Sequence, residues 1–133
     1  MADKEEKGQR NGNVSLKSKP AEITVIKASG DVKIMTFSEG EIDFSNCNAI
    51  IESFGVQHRE GYRWVFDLSN ISFMDSEAIK SLITCIRKVG LEFAAFICDK
   101  GSMPFRVLEL SGLAKIVSVY DNDKQAVESF EAR

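Results

Sequence analysis

The sequence is poor in the residues from which most catalytic and metal sites are built. Its 133 residues include one histidine, three cysteines and two prolines. His58 has no second histidine and no cysteine pair at the spacing of metal ligands. Because it lies in a polar stretch, we expect an exposed loop imidazole. No glycine-rich phosphate-binding motif occurs. The sequence therefore predicts neither an enzyme of the common hydrolase, kinase or dehydrogenase designs nor a bound cofactor or metal.

Long apolar runs, an excess of positive charge and a disulfide pattern are missing as well. No apolar segment approaches the roughly 20 residues that span a bilayer, and the N-terminus has no apolar signal core. A net charge of −3 argues against general nucleic-acid binding, which requires concentrated positive charge. The three cysteines are widely spaced and odd in number, which indicates free thiols in a reducing compartment instead of a set of disulfides. We therefore expect a cytoplasmic protein without direct membrane insertion.

Charge and apolar residues divide the chain into two parts. Residues 1–19 hold five basic and three acidic residues, whereas residues 20–133 hold 12 basic and 17 acidic ones. Apart from Val14 and Leu16, the first part has almost nothing to bury, so it cannot offset the entropy of ordering. The composition predicts a disordered polar tail over residues 1–20 and one domain over residues 21–133. A basic docking arm is the functional alternative for the tail.

Short β-rich segments alternate with helical ones after Pro20. The predicted strands cover residues 23–26, 32–37, 63–68, 93–98 and 116–120. Turn residues at positions 29–31 predict a hairpin between the first two strands, and the later alternation of strands and helices implies parallel crossovers. The fold class is therefore α/β with a mixed sheet. The large aromatic residues expected in its core are Phe37, Phe54, Trp64, Phe66, Phe93, Phe96 and Phe105.

Four helices are predicted, and each begins near a polar residue that can cap its first turn. Their caps are expected at Ser45 or Asp43, at Asp75 or Ser76, at Ser102 and within residues 121–123. Gly55 and Gly90 follow the apolar stretches of the first two helices and predict where these helices end.

The junction between a strand and the second helix, residues 65–77, is the segment with a functional pattern. Its apolar residues Phe73 and Met74 are expected to anchor the loop, which leaves Asp75 and Ser76 at the mouth of the helix. A serine there can simply cap the helix. The same position also suits a phosphate, because backbone N–H groups and the helix dipole favour an anion. The residues alone leave both interpretations open.

Four motifs in this chain resemble the STAS domain of bacterial anti-sigma factor antagonists, over about residues 23–130. They are Gly-Glu-Ile-Asp (40–43), Val-Phe-Asp-Leu (65–68), Phe-Met-Asp-Ser (73–76) and Leu-Glu-Leu-Ser-Gly-Leu-Ala-Lys-Ile (108–116). The resemblance implies a single α/β domain with a mixed sheet of four to five strands and about four helices packed mainly on one side.

The resemblance also implies a protein that acts by binding. Such proteins bind an anti-sigma factor that is also a GHKL-type serine kinase, are released when this kinase phosphorylates the serine after Met-Asp, and are restored by a PP2C-type phosphatase. Ser76 matches that serine. Lys80 either flanks the binding surface or belongs to a solvated helix face. The partner-binding residues expected on this basis are Asp43, Phe73, Met74, Asp75, Ser76, Glu77 and Lys80.

The chain departs from the family pattern at Glu77 and Ala78, where a serine or threonine and a glycine are usual. Ala78 is expected to fill space that a partner approaches. Either the partner has a basic site matched to Glu77, or Glu77 weakens kinase binding. The second function left open is a non-catalytic STAS subunit of a transporter or lipid-trafficking complex, in which the same surface holds a membrane-associated partner permanently.

Overall fold

The structure is a computed structural model that describes residues 19–131. Its strands are β1 (Ile23–Ser29), β2 (Val32–Phe37), β3 (Gly40–Ile42), β4 (Arg63–Asp67), β5 (Ile71–Met74), β6 (Ala94–Ile97) and β7 (Ser118–Tyr120). Its α-helices are α1 (Cys47–Gln57), α2 (Ser76–Val89), α3 (Met103–Ser111), α4 (Leu113–Ile116) and α5 (Asp123–Glu131). This order confirms the predicted α/β class.

A mixed five-stranded sheet with the order β1-β2-β4-β6-β7 forms the centre of the domain. The first two strands form the predicted antiparallel hairpin, and β2, β4, β6 and β7 run parallel. The parallel strands require crossover connections, which α1 to α4 supply together with the loops beside them. Their carboxyl ends consequently meet at one edge of the sheet.

Helices cover the two faces of the sheet unequally. Trp64 and Phe66 of β4 belong to a large core cluster with residues of α1, α2, α3 and α4. Val65, between them in sequence, faces the other side and packs with Ala126 and Phe130 of α5 in a smaller cluster. This alternation follows from the twofold period of a strand. The helices therefore lie mainly on one side, with α5 alone on the other.

Several element boundaries differ from the prediction. Helix α1 begins after Asn46 rather than at Ser45 or Asp43, and it continues past Gly55 to Gln57. A single glycine costs a helix only about 1 kcal/mol relative to alanine, which the buried face of α1 can offset. Residues 112–117 form a turn of helix after Gly112, whose φ of 87° ends α3, so the last strand begins at Ser118 instead of residue 116.

The prediction that Phe93 lies in the core is wrong. It ends a 3-10 turn, Leu91–Phe93, that precedes β6, and 43% of its surface is exposed. Strand β6, whose four residues are all buried, begins one residue later, so Phe93 lies outside it.

Residues 19 and 20, the last two of the predicted tail, pack against β3. Pro20 pairs with Glu41 of β3 in parallel, the carbonyl of Lys19 accepts a hydrogen bond from the Glu41 N–H at 2.8 Å, and the Ala21 N–H donates to the Glu41 carbonyl at 2.8 Å. Gly40 makes this close approach possible, since a Cβ there would lie 2.5 Å from the Lys19 carbonyl oxygen. The remainder of the predicted tail, residues 1–18, lies outside the described residues.

His58 is half-buried rather than an exposed loop residue. Its ring stacks on Phe54 with centroids 5.1 Å apart, and its Nδ1 accepts a hydrogen bond from the Trp64 indole N–H at 2.9 Å. Burial lowers the pKa of His58, and the positive charges of Lys88 and Arg59 lower it further, against the opposing effect of the Lys88 carbonyl. The neutral imidazole is therefore the form that this packing favours.

The depressed pKa of His58 makes the stability of the domain depend on pH. In the unfolded chain the imidazole titrates near 6.5, so below that pH the unfolded state binds a proton that the folded state binds less readily. Stability should therefore fall as the pH falls below 6.5 and level off below the folded-state pKa. Urea unfolding from about pH 7.5 to about pH 5 should show a larger loss for wild type than for His58→Gln, which keeps an acceptor for Trp64. Equal pH dependence of the two proteins would contradict this.

Gly40→Ala should destabilise the domain, because the added Cβ meets backbone atoms of residues 19 and 21 and the residue has a φ of 154°. We expect the free energy of unfolding to fall by about 2 kcal/mol, as overpacking usually costs. Gly55→Ala is the control, since a Cβ at this helical position meets nothing within 4 Å. That variant should be more stable than wild type by about 0.5–1 kcal/mol. Denaturation curves measure the free energy of unfolding of both variants. A Gly40→Ala variant as stable as wild type would rule out the close approach of residues 19–21 to Gly40.

Candidate functional site

Two short strands that the sequence analysis treated as loops bring the candidate site together. Strands β3 and β5 pair in parallel, with Ile42 opposite Met74. Their carboxyl ends therefore lie side by side, which places the loop after Ile42 next to the start of α2. We call the residues that meet there the junction surface: Asp43, Phe44, Phe73, Asp75, Ser76 and Glu77.

Asp75 joins the two halves of the junction surface. Its Oδ1 accepts a hydrogen bond from the Ala78 N–H at 2.9 Å, so Asp75 is the N-cap of α2. Its Oδ2 accepts from the Phe44 N–H at 3.3 Å, and its own N–H donates to the Ile42 carbonyl at 3.4 Å. One carboxylate thus caps the helix and holds the neighbouring loop.

The loop that carries Asp43 is held by its own side chains. Asp43 Oδ1 accepts from the N–H and the hydroxyl of Ser45, at 2.9 and 2.6 Å. Asn46 Oδ1 accepts from the Asp43 N–H at 2.9 Å, and Asn46 Nδ2 donates to the carbonyls of Ala21 and Glu41 at 2.9 and 2.8 Å. Asp43 and Asn46 therefore fix the shape of the loop instead of capping α1 through a side chain.

Ser76 is the first residue of α2, and it is exposed. Within residues 19–131, its hydroxyl has no hydrogen-bond partner. Two other exposed serines after strand ends differ in this respect, because the hydroxyls of Ser45 and Ser69 donate to Asp43 and Asp67, each at 2.6 Å. Ser76 therefore presents an available hydroxyl at the positive end of the helix dipole.

Glu77 and Lys80 form an ion pair on the surface of α2, with Nζ 3.1 Å from Oε2. The Lys80 side chain is 72% exposed and that of Glu77 is 43% exposed, so water screens the pair and it contributes little to stability. The pair places Lys80 at the rim of the junction surface. Ala78 was expected to fill space that a partner approaches. This expectation is wrong, because its side chain is fully buried in the core. The departure from the family pattern at the surface is therefore Glu77 alone.

The apolar residues of the junction surface differ in exposure. Met74 was predicted to be a partner-binding residue, but it is 2% exposed. Its side chain therefore supports the junction surface from below and does not form part of it. Phe73 is half-buried, whereas Phe44 is 75% exposed. The sequence analysis missed Phe44. The available signal was a large apolar residue between the turn-forming residues Asp43 and Ser45.

The rest of the described chain offers little alternative chemistry. Residues 19–131 contain no group of three or more histidine, cysteine or acidic side chains placed to hold a metal ion. In the same range, no helix has the length and apolarity needed to cross a bilayer. The three cysteines are free but buried, and desolvation raises the pKa of Cys98 and raises that of Cys85 to about 12. The thiols of Cys85 and Cys98 are therefore protonated and poor nucleophiles at neutral pH.

Comparison with known proteins gives consistent matches. The family model described as "STAS domain" matches residues 24–126. The chain is 31% identical over 97 residues to the anti-sigma F factor antagonist of Paenibacillus polymyxa, covering 69% of this chain and 81% of that protein.

Two solved structures have the same fold. An anti-sigma factor antagonist from Mycobacterium paratuberculosis superimposes with a TM-score of 0.74 at 24% identity, covering 86% of this chain and 98% of the other. An anti-sigma-factor antagonist (STAS) domain protein from Planctomyces limnophilus superimposes with a TM-score of 0.66 at 16% identity, covering 80% and 95%.

Asp75→Ala should loosen both elements that the carboxylate holds. We expect the free energy of unfolding to fall by about 1–2 kcal/mol, as loss of an N-cap usually causes. Hydrogen exchange measured by NMR should become faster at the amides of Phe44 and Ala78. Glu77→Ala, the control in the same helical turn, should change stability by less than about 0.5 kcal/mol. Unchanged exchange at Phe44 in Asp75→Ala would disprove the link.

Proposed function

The chain belongs to the STAS domain family, and on this premise we propose that it is an anti-sigma factor antagonist switched off by phosphorylation of Ser76. Its partners are an anti-sigma factor that is also a GHKL-type serine kinase, and a PP2C-type phosphatase, all acting in the cytoplasm. The observation that carries the proposal is the exposed Ser76 hydroxyl, which has no partner within residues 19–131. The name of the Paenibacillus polymyxa relative supports the same function.

The switch follows from charge at a contact. Phosphorylation of Ser76 adds about −1.5 to −2 charges at pH 7. This charge enters between Asp75 and Glu77. The basic groups of the partner are already paired with the carboxylates there, so the phosphate is desolvated in the contact without a counter-charge of its own and is repelled by its acidic neighbours. Leaving an uncompensated charge in an interface costs several kcal/mol, which corresponds to about a hundredfold or greater loss of affinity. Because Ser76 is already exposed, release requires no change in the shape of the domain.

Glu77 does not prevent this mechanism. Its carboxylate lies in the first turn of α2, where the helix dipole favours negative charge, and Lys80 neutralises part of it. The kinase therefore meets an acidic surface with a basic residue at its rim. Recognition requires basic groups on the kinase that face Asp43 and Asp75.

The switch can be tested with the GHKL-type anti-sigma factor kinase encoded in the same genome. Incubation with ATP should add one phosphate to the wild type, measured by intact-protein mass spectrometry, and none to Ser76→Ala. Ser72→Ala, which alters an exposed serine four residues earlier, should be phosphorylated like the wild type. Calorimetry should show about a hundredfold weaker binding of the kinase to Ser76→Asp than to wild type, as expected for a charge placed in the interface.

Two results would contradict the proposal. Phosphorylation of Ser76→Ala to the wild-type extent would reject the site. Failure of the wild type to bind any anti-sigma factor of its genome, together with co-purification of ATP-binding cassette components, would favour the transporter or lipid-trafficking alternative instead.

A further inference from the structure

Phe44 is an exposed aromatic residue in the middle of a polar surface. Three-quarters of its side chain is in water, although it lies between Asp43 and Ser45 in a tightly hydrogen-bonded turn. Isolated apolar residues on a surface are common, so exposure alone indicates nothing. The position of Phe44 is informative because of how its backbone is held.

The backbone of Phe44 is bonded on both sides. Its N–H donates to Asp75 Oδ2 at 3.3 Å, and its carbonyl accepts from the Cys47 thiol at 3.7 Å. The preceding residue is fixed by Asn46 through a bond of 2.9 Å to the Asp43 N–H. An aromatic side chain on an ordered backbone loses little conformational entropy when it binds, so this arrangement is preorganised for contact.

The surroundings of Phe44 define the chemistry of a partner. Asp43 precedes Phe44 in the chain, the Asp75 carboxylate accepts from the Phe44 N–H, and Glu77 lies in the first turn of the helix that Asp75 caps. The half-buried Phe73 adds apolar area to the junction surface from β5, the strand paired with β3. Protein interfaces commonly combine an aromatic residue at the centre with a polar rim. The complement of this surface is an apolar pocket bordered by lysine or arginine side chains.

We propose that Phe44 is the apolar anchor with which this protein docks into its anti-sigma factor, in a pocket with a basic rim. This inference rests on the proposed function and adds a residue that acts as a hot spot of the contact. The Asp75 carboxylate touches the Phe44 backbone and caps the helix that begins with Ser76. The Asp75 side chain therefore connects the loop that carries Phe44 to the helix that carries Ser76. A phosphate on Ser76 adds its charge at the edge of the contact that Phe44 makes.

Affinity measurements with the unphosphorylated proteins test the anchor. By calorimetry with the anti-sigma factor, Phe44→Ala should bind about 10- to 100-fold more weakly than wild type, as loss of an interface hot spot does. Phe44→Tyr should bind within about threefold of wild type, because the apolar ring area is kept. The matched control is Leu110→Ala at the end of α3, which truncates an apolar residue that is 81% exposed and does not belong to the junction surface. It should bind like wild type, and all variants should unfold like wild type.

The possible outcomes separate this inference from the function on which it rests. If the wild type binds no anti-sigma factor, the proposed function fails. If the wild type binds and Phe44→Ala binds equally well, the function stands and the anchor is rejected. If sedimentation shows a dimer that Phe44→Ala abolishes while binding to the anti-sigma factor is unchanged, Phe44 faces a second copy of this chain and the inference is overturned.

Discussion

The carboxylate of Asp75 is the constraint on which the site depends. It accepts one hydrogen bond from the first turn of α2 and another from the backbone of Phe44. These two bonds hold together segments that are about thirty residues apart in sequence, a helix start and a loop between β3 and α1. Without them, Ser76 and Phe44 would belong to separate loops. With them, a hydroxyl, an aromatic ring and several carboxylates share one surface.

That constraint works only because β3 and β5 deliver both segments to the same place. The pair is short, and it is supported on its other side by residues 19–21, which approach β3 closely at Gly40. Packing below the surface completes the support, since Ile42 and Met74 are buried and opposite each other. The residues that form the surface are thus carried by a rigid layer. This support keeps the junction surface in one geometry.

The outcome at individual residues shows what a pattern can reveal. Apolar spacing and a polar start predicted α2, with its cap at Asp75 or Ser76 and its end at Gly90, because the start and end of a helix depend on neighbours in sequence. The structure has the cap at Asp75. The motif that includes Asp75 and Ser76 marked the junction at which the proposed site lies. By contrast, β3 and β5 have three and four residues, too few for a period-two pattern to stand out. Phe93 was misjudged because a 3-10 turn precedes β6, and His58 because its ring packs on Phe54 and Trp64 where the chain turns from α1 into β4.

The sequence by itself determined the α/β class, the hairpin at one edge of the sheet, the crossovers and most helices. These follow from local propensity and from the periodicity of burial, which are properties of nearby residues. Only the tertiary structure decided that Phe44 stands beside Ser76, that Met74 and Ala78 face inward, and that the hydroxyl of Ser76 is available. Each of these depends on a contact between segments far apart in the chain, and such contacts exist only after the sheet and its helices have packed.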